Sequence, residues 1–330
     1  YLEFLDIAPT DIVFKDLVSI LKHASEGETE FSDLIVDIVD NAPAEVMLVI
    51  KQAFSFAKSQ GFIDNLSNLS SSAKSYLQAL EAGIFKASQL GPKVIDQIVD
   101  MRSNPVTLAT KTQYTGTVLM VLPESDDNSA FDTEIDIIKS LLDHGYYIYF
   151  VSKSNINELK YEMEKFKDNK GVFDIVYVGG HGYTSFYGGT ISNGLVLGEA
   201  KSQDQANEMI INDQSAPVLK DFLGPLLSKG GNVILSSCMG GIGLDWNKKN
   251  TGNVMRTIFP QAGKIFSADE SISEVIIDFD EAGKIKQVKF KLGNKDVNVY
   301  ESSVSWPALL LMLSSIGIRA VGYKNRGENV

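Results

Sequence analysis

The chain has 330 residues, 44% of them hydrophobic and 22% charged, which is enough apolar material for a full α/β core and more than one average domain. Its formal charge of -12 opposes phosphate backbones, so nucleic acid is not an expected partner. The single cysteine rules out an intramolecular disulfide and leaves the location open between cytoplasm and export.

Residues 1–22 show neither the basic start nor the long apolar run of a signal peptide. From 1 to 103, apolar residues recur at helical spacing, as in Phe31, Leu34, Ile35, Ile38 and Val39. Breaks at 25–29, 41–43, 67–72 and Gly91-Pro92 leave room for four or five helices. Residues 1–110 therefore read as an α-helical domain that regulates or targets the remainder of the chain.

After Pro105 the texture changes to short apolar runs at 117–122, 146–151, 173–178, 232–236 and 264–267. Runs of this kind, alternating with amphipathic helices, are the pattern of a parallel sheet covered on both faces. The first crossover helix carries Phe131, Ile135, Ile138, Leu141 and Leu142 on one face, with Ser129 and Asp132 as a capping pair and Gly145 at its end. Ile156, Leu159, Met163 and Phe166 make the second. Pro217, Val218, Phe222, Leu223, Leu226 and Leu227 make the third, stopped by Gly230-Gly231.

Between the third run and that helix lies a long segment, 182–216, in which Ser192-Asn193-Gly194 predicts the turn of a small hairpin. Runs at 275–279, 288–292 and 297–300 alternate apolar and polar residues around glycines, which predicts an antiparallel meander. The apolar stretch 306–316 is too short for the roughly 20 residues that cross a bilayer, so it reads as a buried helix and no membrane span is expected.

In an open parallel sheet the reactive crevice lies beyond the carboxyl ends of the strands. The third run closes on Val178-Gly179-Gly180-His181-Gly182, and the fourth on Ser236-Ser237-Cys238-Met239-Gly240. Taken singly, a cysteine at a strand end is ordinarily a buried small hydrophobe, and a histidine beside glycines a turn residue. Here the only cysteine and one of three histidines end two successive strands. A thiol nucleophile needs an imidazole that takes and returns its proton, and this arrangement supplies one. The backbone N–H groups of Gly182 and Cys238 are the expected oxyanion donors.

A hydrophobic run ending in His-Gly, then a helix, then a hydrophobic run ending in Cys resembles the caspase-like cysteine peptidases. That superfamily includes caspases, metacaspases, gingipains, clostripain, legumain, separase and self-cleaving toxin domains. In caspases the histidine lies about 50 residues upstream of the cysteine; here the gap is 238 minus 181, or 57. The resemblance covers roughly residues 117–300. It implies a caspase-like αβα sandwich with a mainly parallel sheet over 111–330, preceded by the α-helical domain. It also implies a Cys238–His181 dyad, an acyl-enzyme intermediate and a peptide or protein substrate.

Ser236-Ser237-Cys238-Met239-Gly240 lacks the Gln-Ala-Cys-Arg-Gly of true caspases and the acidic residue that metacaspases place two positions before their cysteine. The likeness is thus closer to metacaspases, clostripain and gingipains than to caspases. Residues 266–274 resemble the acidic, serine-rich loop that lines the primary specificity pocket in metacaspase-like enzymes. Asp269, Glu270 and Ser236 are then the expected substrate-binding residues, with a preference for Lys or Arg before the scissile bond. The alternative for 266–274 is a solvated acidic loop or a helix cap. Lys248 and Lys249, in a polar segment just after the nucleophile, are the expected self-cleavage site.

Other chemistries lack their residues. Gly240-Gly241-Ile242-Gly243 has no Gly-Lys-Ser/Thr ending, and no dinucleotide fingerprint follows the first strand, so no cofactor is expected. His23 and His144 have no paired ligand spacing, so no metal is expected. Nothing sets the oligomeric state. Two alternatives remain at this level: a catalytically inactive caspase-like binding or regulatory module, and a doubly wound small-molecule binder in which Cys238 and His181 coincide.

Overall fold

The computed structural model describes residues 10–41, 44–63, 68–82, 90, 92–104, 107–123, 134–187, 190–197, 208–241 and 249–303. The helical portion consists of α1 (Thr10–Ser25), α2 (Thr29–Asn41), α3 (Ala44–Ser59), α4 (Ser71–Ala82) and α5 (Pro92–Ser103), followed by the single turn α6 (Leu108–Lys111). The boundaries fall where Gly, Pro and Ser interrupt the apolar periodicity.

The rest is an α/β unit. Its main sheet takes β1 (Gly116–Leu122), β2 (Tyr146–Ser152), β3 (Phe173–Gly179), β7 (Leu227–Ser236), β8 (Lys264–Ala268) and β12 (Val299–Ser303), in the order β12-β8-β7-β3-β1-β2. Five of these strands are parallel, and β12 closes the edge antiparallel to β8. Alternate residues feed two apolar clusters. Val118, Met120, Ile148, Phe150, Ile175, Tyr177 and Ile234 face α7 (Glu134–Asp143) and the helical portion. Leu119, Val121, Tyr149, Val176, Val233 and Leu235 face α8 (Ile156–Met163), α9 (Ala216–Phe222) and α10 (Thr251–Ile258). Burying each such aliphatic side chain stabilises the fold by about 1.5–3 kcal/mol. Both faces are consumed, so these strands read as unbroken apolar runs rather than alternating ones.

The first cluster runs without a break from Leu17 and Phe54 to Ile148 and Phe290, so the helical portion and the sheet share one core. Polar links cross the same junction. The Tyr147 hydroxyl donates to the carbonyls of Met101 and Asn104, and the Arg102 guanidinium lies 3.7 Å from the Glu162 carboxylate.

Some expectations need correction, and others fall outside the described residues. The small hairpin exists, but Ser192-Asn193-Gly194 is not its turn: β4 (His181–Tyr187) pairs antiparallel with β5 (Thr190–Val196), which runs straight through those three residues and also pairs with β6 (Ile210–Ile211). Gly230-Gly231 does not stop a helix. The third crossover helix ends at Phe222, Gly224–Leu226 forms a 3-10 turn, and β7 already begins at Leu227. Gly230, at φ 78°, and Gly231 form an irregularity inside the strand, where the register against β3 jumps from Phe173↔Leu227 to Ile175↔Asn232.

The meander is β9 (Glu274–Phe279), β10 (Ile285–Leu292) and β11 (Lys295–Val297). Its expected last strand, 297–300, is divided at Asn298: the first half completes the meander and the second enters the main sheet as β12. The Ser129–Asp132 cap, Phe131 and the stretch 306–316 lie outside the described residues. Among those described, no helix is long and apolar enough to cross a membrane.

Candidate active site

The two strand ends singled out by the sequence are neighbours. β3 and β7 pair in parallel up to Gly179↔Ser236, and the Gly180 N–H then donates to the Ser236 carbonyl at 3.1 Å. Beyond this point the chains diverge. After Gly180 the first leaves the main sheet to pair with β5, and it passes so close that a Cβ on Gly180 would lie 2.6 Å from the Val196 carbonyl oxygen. After Ser236 the second enters a turn that carries Ser237, Cys238 and Met239.

These two segments touch again at Gly182 and Cys238. A Cβ on Gly182 would lie 1.9 Å from the Cys238 carbonyl oxygen and 3.1 Å from the Cys238 Cβ, so only glycine allows this approach. His181, the residue before Gly182, is exposed, and Cys238 is partly exposed. The Cys238 thiol points to the Ile272 carbonyl at 3.8 Å.

Met239 has φ 57°, which makes it the single non-glycine residue in the left-handed region among those described, at a cost of about 1–3 kcal/mol. Both of its peptide groups are secured. Its N–H donates to the Glu270 carbonyl at 2.9 Å, and its carbonyl accepts from Asn193 Nδ2 at 3.0 Å. The Met239 N–H is therefore engaged, while the expected oxyanion donors belong to Gly182 and Cys238. Gly241 N–H reaches the Ala268 carbonyl at 2.7 Å, and Gly252 N–H, in the first turn of α10, reaches the Gly240 carbonyl at 3.0 Å.

The loop after β8 thus lies against the turn that carries Cys238 through Ala268, Glu270 and Ile272, and it brings Asp269 and Glu270 alongside. Glu270 is exposed and bridges to Lys295 at 3.1 Å. Asp269 is less exposed, and its Oδ1 is buried with no hydrogen-bond partner among the described residues. The same holds for Asn193 Oδ1, Ser237 Oγ, Thr251 Oγ1 and Ser267 Oγ. All five belong to segments that meet the turn at 237–241. A buried oxygen without a partner costs about 1–3 kcal/mol, and five of them around one turn set that turn apart.

Ser236 is buried, and its hydroxyl donates to the Glu134 carboxyl instead of pointing towards a substrate. The second oxygen of Glu134 accepts from the Tyr177 hydroxyl. Burial drives the Glu134 pKa up to about 7, against the opposing pull of these two hydrogen bonds, and burial beside Glu134 raises that of Tyr177 well above its usual value.

Lys249 is half exposed and paired with Asp213 at 2.8 Å; Lys248 lies outside the described residues. Away from the site, ligand atoms of His23, Glu26 and Glu28 lie within 4.8 Å of one another on an exposed turn. His144 stacks on Phe279 with ring centroids 4.0 Å apart.

Sequence reasoning missed Asn193, Met239 and Glu134. Asn193 was hidden because Ser-Asn-Gly is also a turn signature, and nothing local marks Met239 as left-handed. Glu134 had a signal: it shares a helix face with Ile138 and Leu141, at positions i+4 and i+7, and an acid on an apolar face must find buried partners. No family model matches the chain, and neither a curated protein nor a solved structure matches it.

Proposed function

We propose that this protein is a cysteine endopeptidase of the caspase-like type, with Cys238 as nucleophile and His181 as its acid/base partner. The observation that carries this reading is the main-chain contact between Gly182 and Cys238, which joins the ends of two adjacent parallel strands, one bearing an exposed imidazole and the other a partly exposed thiol. The mainly parallel sheet with helices on both faces is compatible with the αβα sandwich that the resemblance implies.

In the proposed reaction His181 takes the thiol proton, and the Cys238 thiolate attacks the scissile carbonyl carbon. The resulting oxyanion is held by the N–H groups of Gly182 and Cys238. Collapse of the intermediate breaks the C–N bond as His181 returns the proton to the departing amine. Water, deprotonated by His181, then cleaves the thioester and releases the acid and free Cys238. The Asp269 oxygen that has no partner among the described residues supports a preference for Lys or Arg before the scissile bond, because a cation brought beside it would pair with the carboxylate.

A peptidyl acyloxymethyl ketone library, with the adduct mapped by mass spectrometry, tests the reading. Modification confined to Cys238 and lost in the His181→Ala variant is the expected result. Inertness to every probe, with the fold intact, overturns it and favours a binding module.

A further inference from the structure

We propose that Glu134 is a positioning residue for the dyad, acting through Ser236 on the turn that presents Cys238; the inference rests on the proposed peptidase reading. Glu134 opens α7 and is 2% exposed. Its two carboxyl oxygens accept from hydroxyls on two different strands, Tyr177 of β3 and Ser236 of β7. Tyr177 lies four residues before His181 and Ser236 two before Cys238, so one side chain spans both approaches to the site. In the strand register Tyr177 faces Ile234 and Gly179 faces Ser236, which places both hydroxyls at the last rungs of the ladder.

The ladder alone does not control the path of the chain beyond its last rung. Among the described residues, the chain after Ser236 has no strand partner until the turn closes on Glu270 and Ala268. Ser236 is the point of departure, and it is held twice: its carbonyl by the Gly180 N–H and its side chain by Glu134. Removing the carboxyl frees the Ser236 rotamer and takes an acceptor away from each of two buried hydroxyls. The direction in which the chain enters the turn relaxes, and with it the placement of the thiol against His181. An apolar residue would fill the space between α7 and the sheet at lower desolvation cost, but it could not accept from both strands.

The test uses the full chain and three variants, Glu134→Ala, Glu134→Gln and Ser236→Ala, with peptide hydrolysis and the iodoacetamide alkylation rate of Cys238 as readouts. For Glu134→Ala, kcat falls about 100-fold, the scale of an ångström-sized misplacement of a reacting group, while KM stays within about 3-fold. The alkylation rate falls in parallel. Gln keeps the shape and one acceptor, and it restores kcat to within about 5-fold of the parent.

If Glu134→Ala does not fold, Ser236→Ala carries the test, since it cuts only the link on the Cys238 side: a fall of about 10-fold in kcat at unchanged KM is expected. Wild-type kcat and alkylation rate in Glu134→Ala or, where that variant is unfolded, in Ser236→Ala overturn the proposal. So does an equal loss in Ala and Gln with KM raised in both. A parent protein that cleaves no peptide contradicts the peptidase reading instead, and the alkylation rates then still decide the role of Glu134.

Discussion

Gly182 and Cys238 are in main-chain contact: the Cys238 carbonyl oxygen occupies the place where a side chain on Gly182 would begin. This ties the histidine-bearing strand to the turn that carries Cys238. Gly182→Ala forces the two backbones apart, because the obstructing atom belongs to a peptide group and not to a flexible side chain. Expected is a fall in kcat/KM of about 100-fold or more with the fold retained, measured by steady-state hydrolysis and circular dichroism. Activity within about 3-fold of the parent would show that the contact does not set the site.

Glu134 makes stability fall with rising pH. Burial pushes its carboxyl from the ordinary 4.5 to about 7, so between these values the folded state holds a proton that the unfolded state has lost. The stabilisation is fully present below pH 4.5 and is lost as pH rises through about 7. Its size is about 3 kcal/mol at 1.36 kcal/mol per pKa unit. Urea midpoints measured at pH 5 and pH 8 should differ less in Glu134→Gln than in the parent. Equal differences would place the titration elsewhere.

Much of this architecture is legible in the sequence because of how burial acts on pattern. Strands covered on both faces must be apolar throughout, so β1, β2, β3 and β8 stand out as runs. Their crossover helices show the period of 3.6, with Ile156, Leu159, Met163 and Phe166 all buried as that spacing demands. The features that stay hidden depend on contacts distant in the chain. Gly230-Gly231 reads as a stop signal, yet its use is set by strand pairing with β3. Asn193 reads as a turn residue because its role is defined only by the Met239 carbonyl, 46 positions away. Of the candidate site, the cysteine and histidine are legible from strand-end placement; the carboxyl that links β3 to β7 is not, since Ser236 lies 102 positions from Glu134.

Asp269 and Glu270 are expected to differ in effect. Asp269→Ala should selectively reduce cleavage after Lys and Arg, by about 100-fold, because its Oδ1, without a partner among the described residues, is a carboxylate acceptor beside the turn. Glu270→Ala should cost little, since that exposed side chain is already paired with Lys295. A substrate library read by mass spectrometry distinguishes them. A parent preference for Leu, Asn or Asp, or a profile unaltered by Asp269→Ala, removes the assignment.

Self-cleavage is expected at Lys248 or Lys249. Intact-mass analysis of incubated protein should find two fragments joining there, absent in Cys238→Ala. Asp213→Ala releases the ion pair that holds Lys249 and should speed the cut about 2- to 5-fold, the size of an exposed salt bridge. A chain that stays whole while hydrolysing peptides contradicts this step.

The central claim is that Cys238 and His181 act as one catalytic unit. The most direct measurement is turnover of a fluorogenic peptide library by the parent, Cys238→Ala, His181→Ala and the double variant, all confirmed folded. Members of a unit fail almost as completely singly as together, so each single variant should lose several orders of magnitude and the double little more. Near-native turnover in Cys238→Ala, with unchanged specificity, would contradict the account.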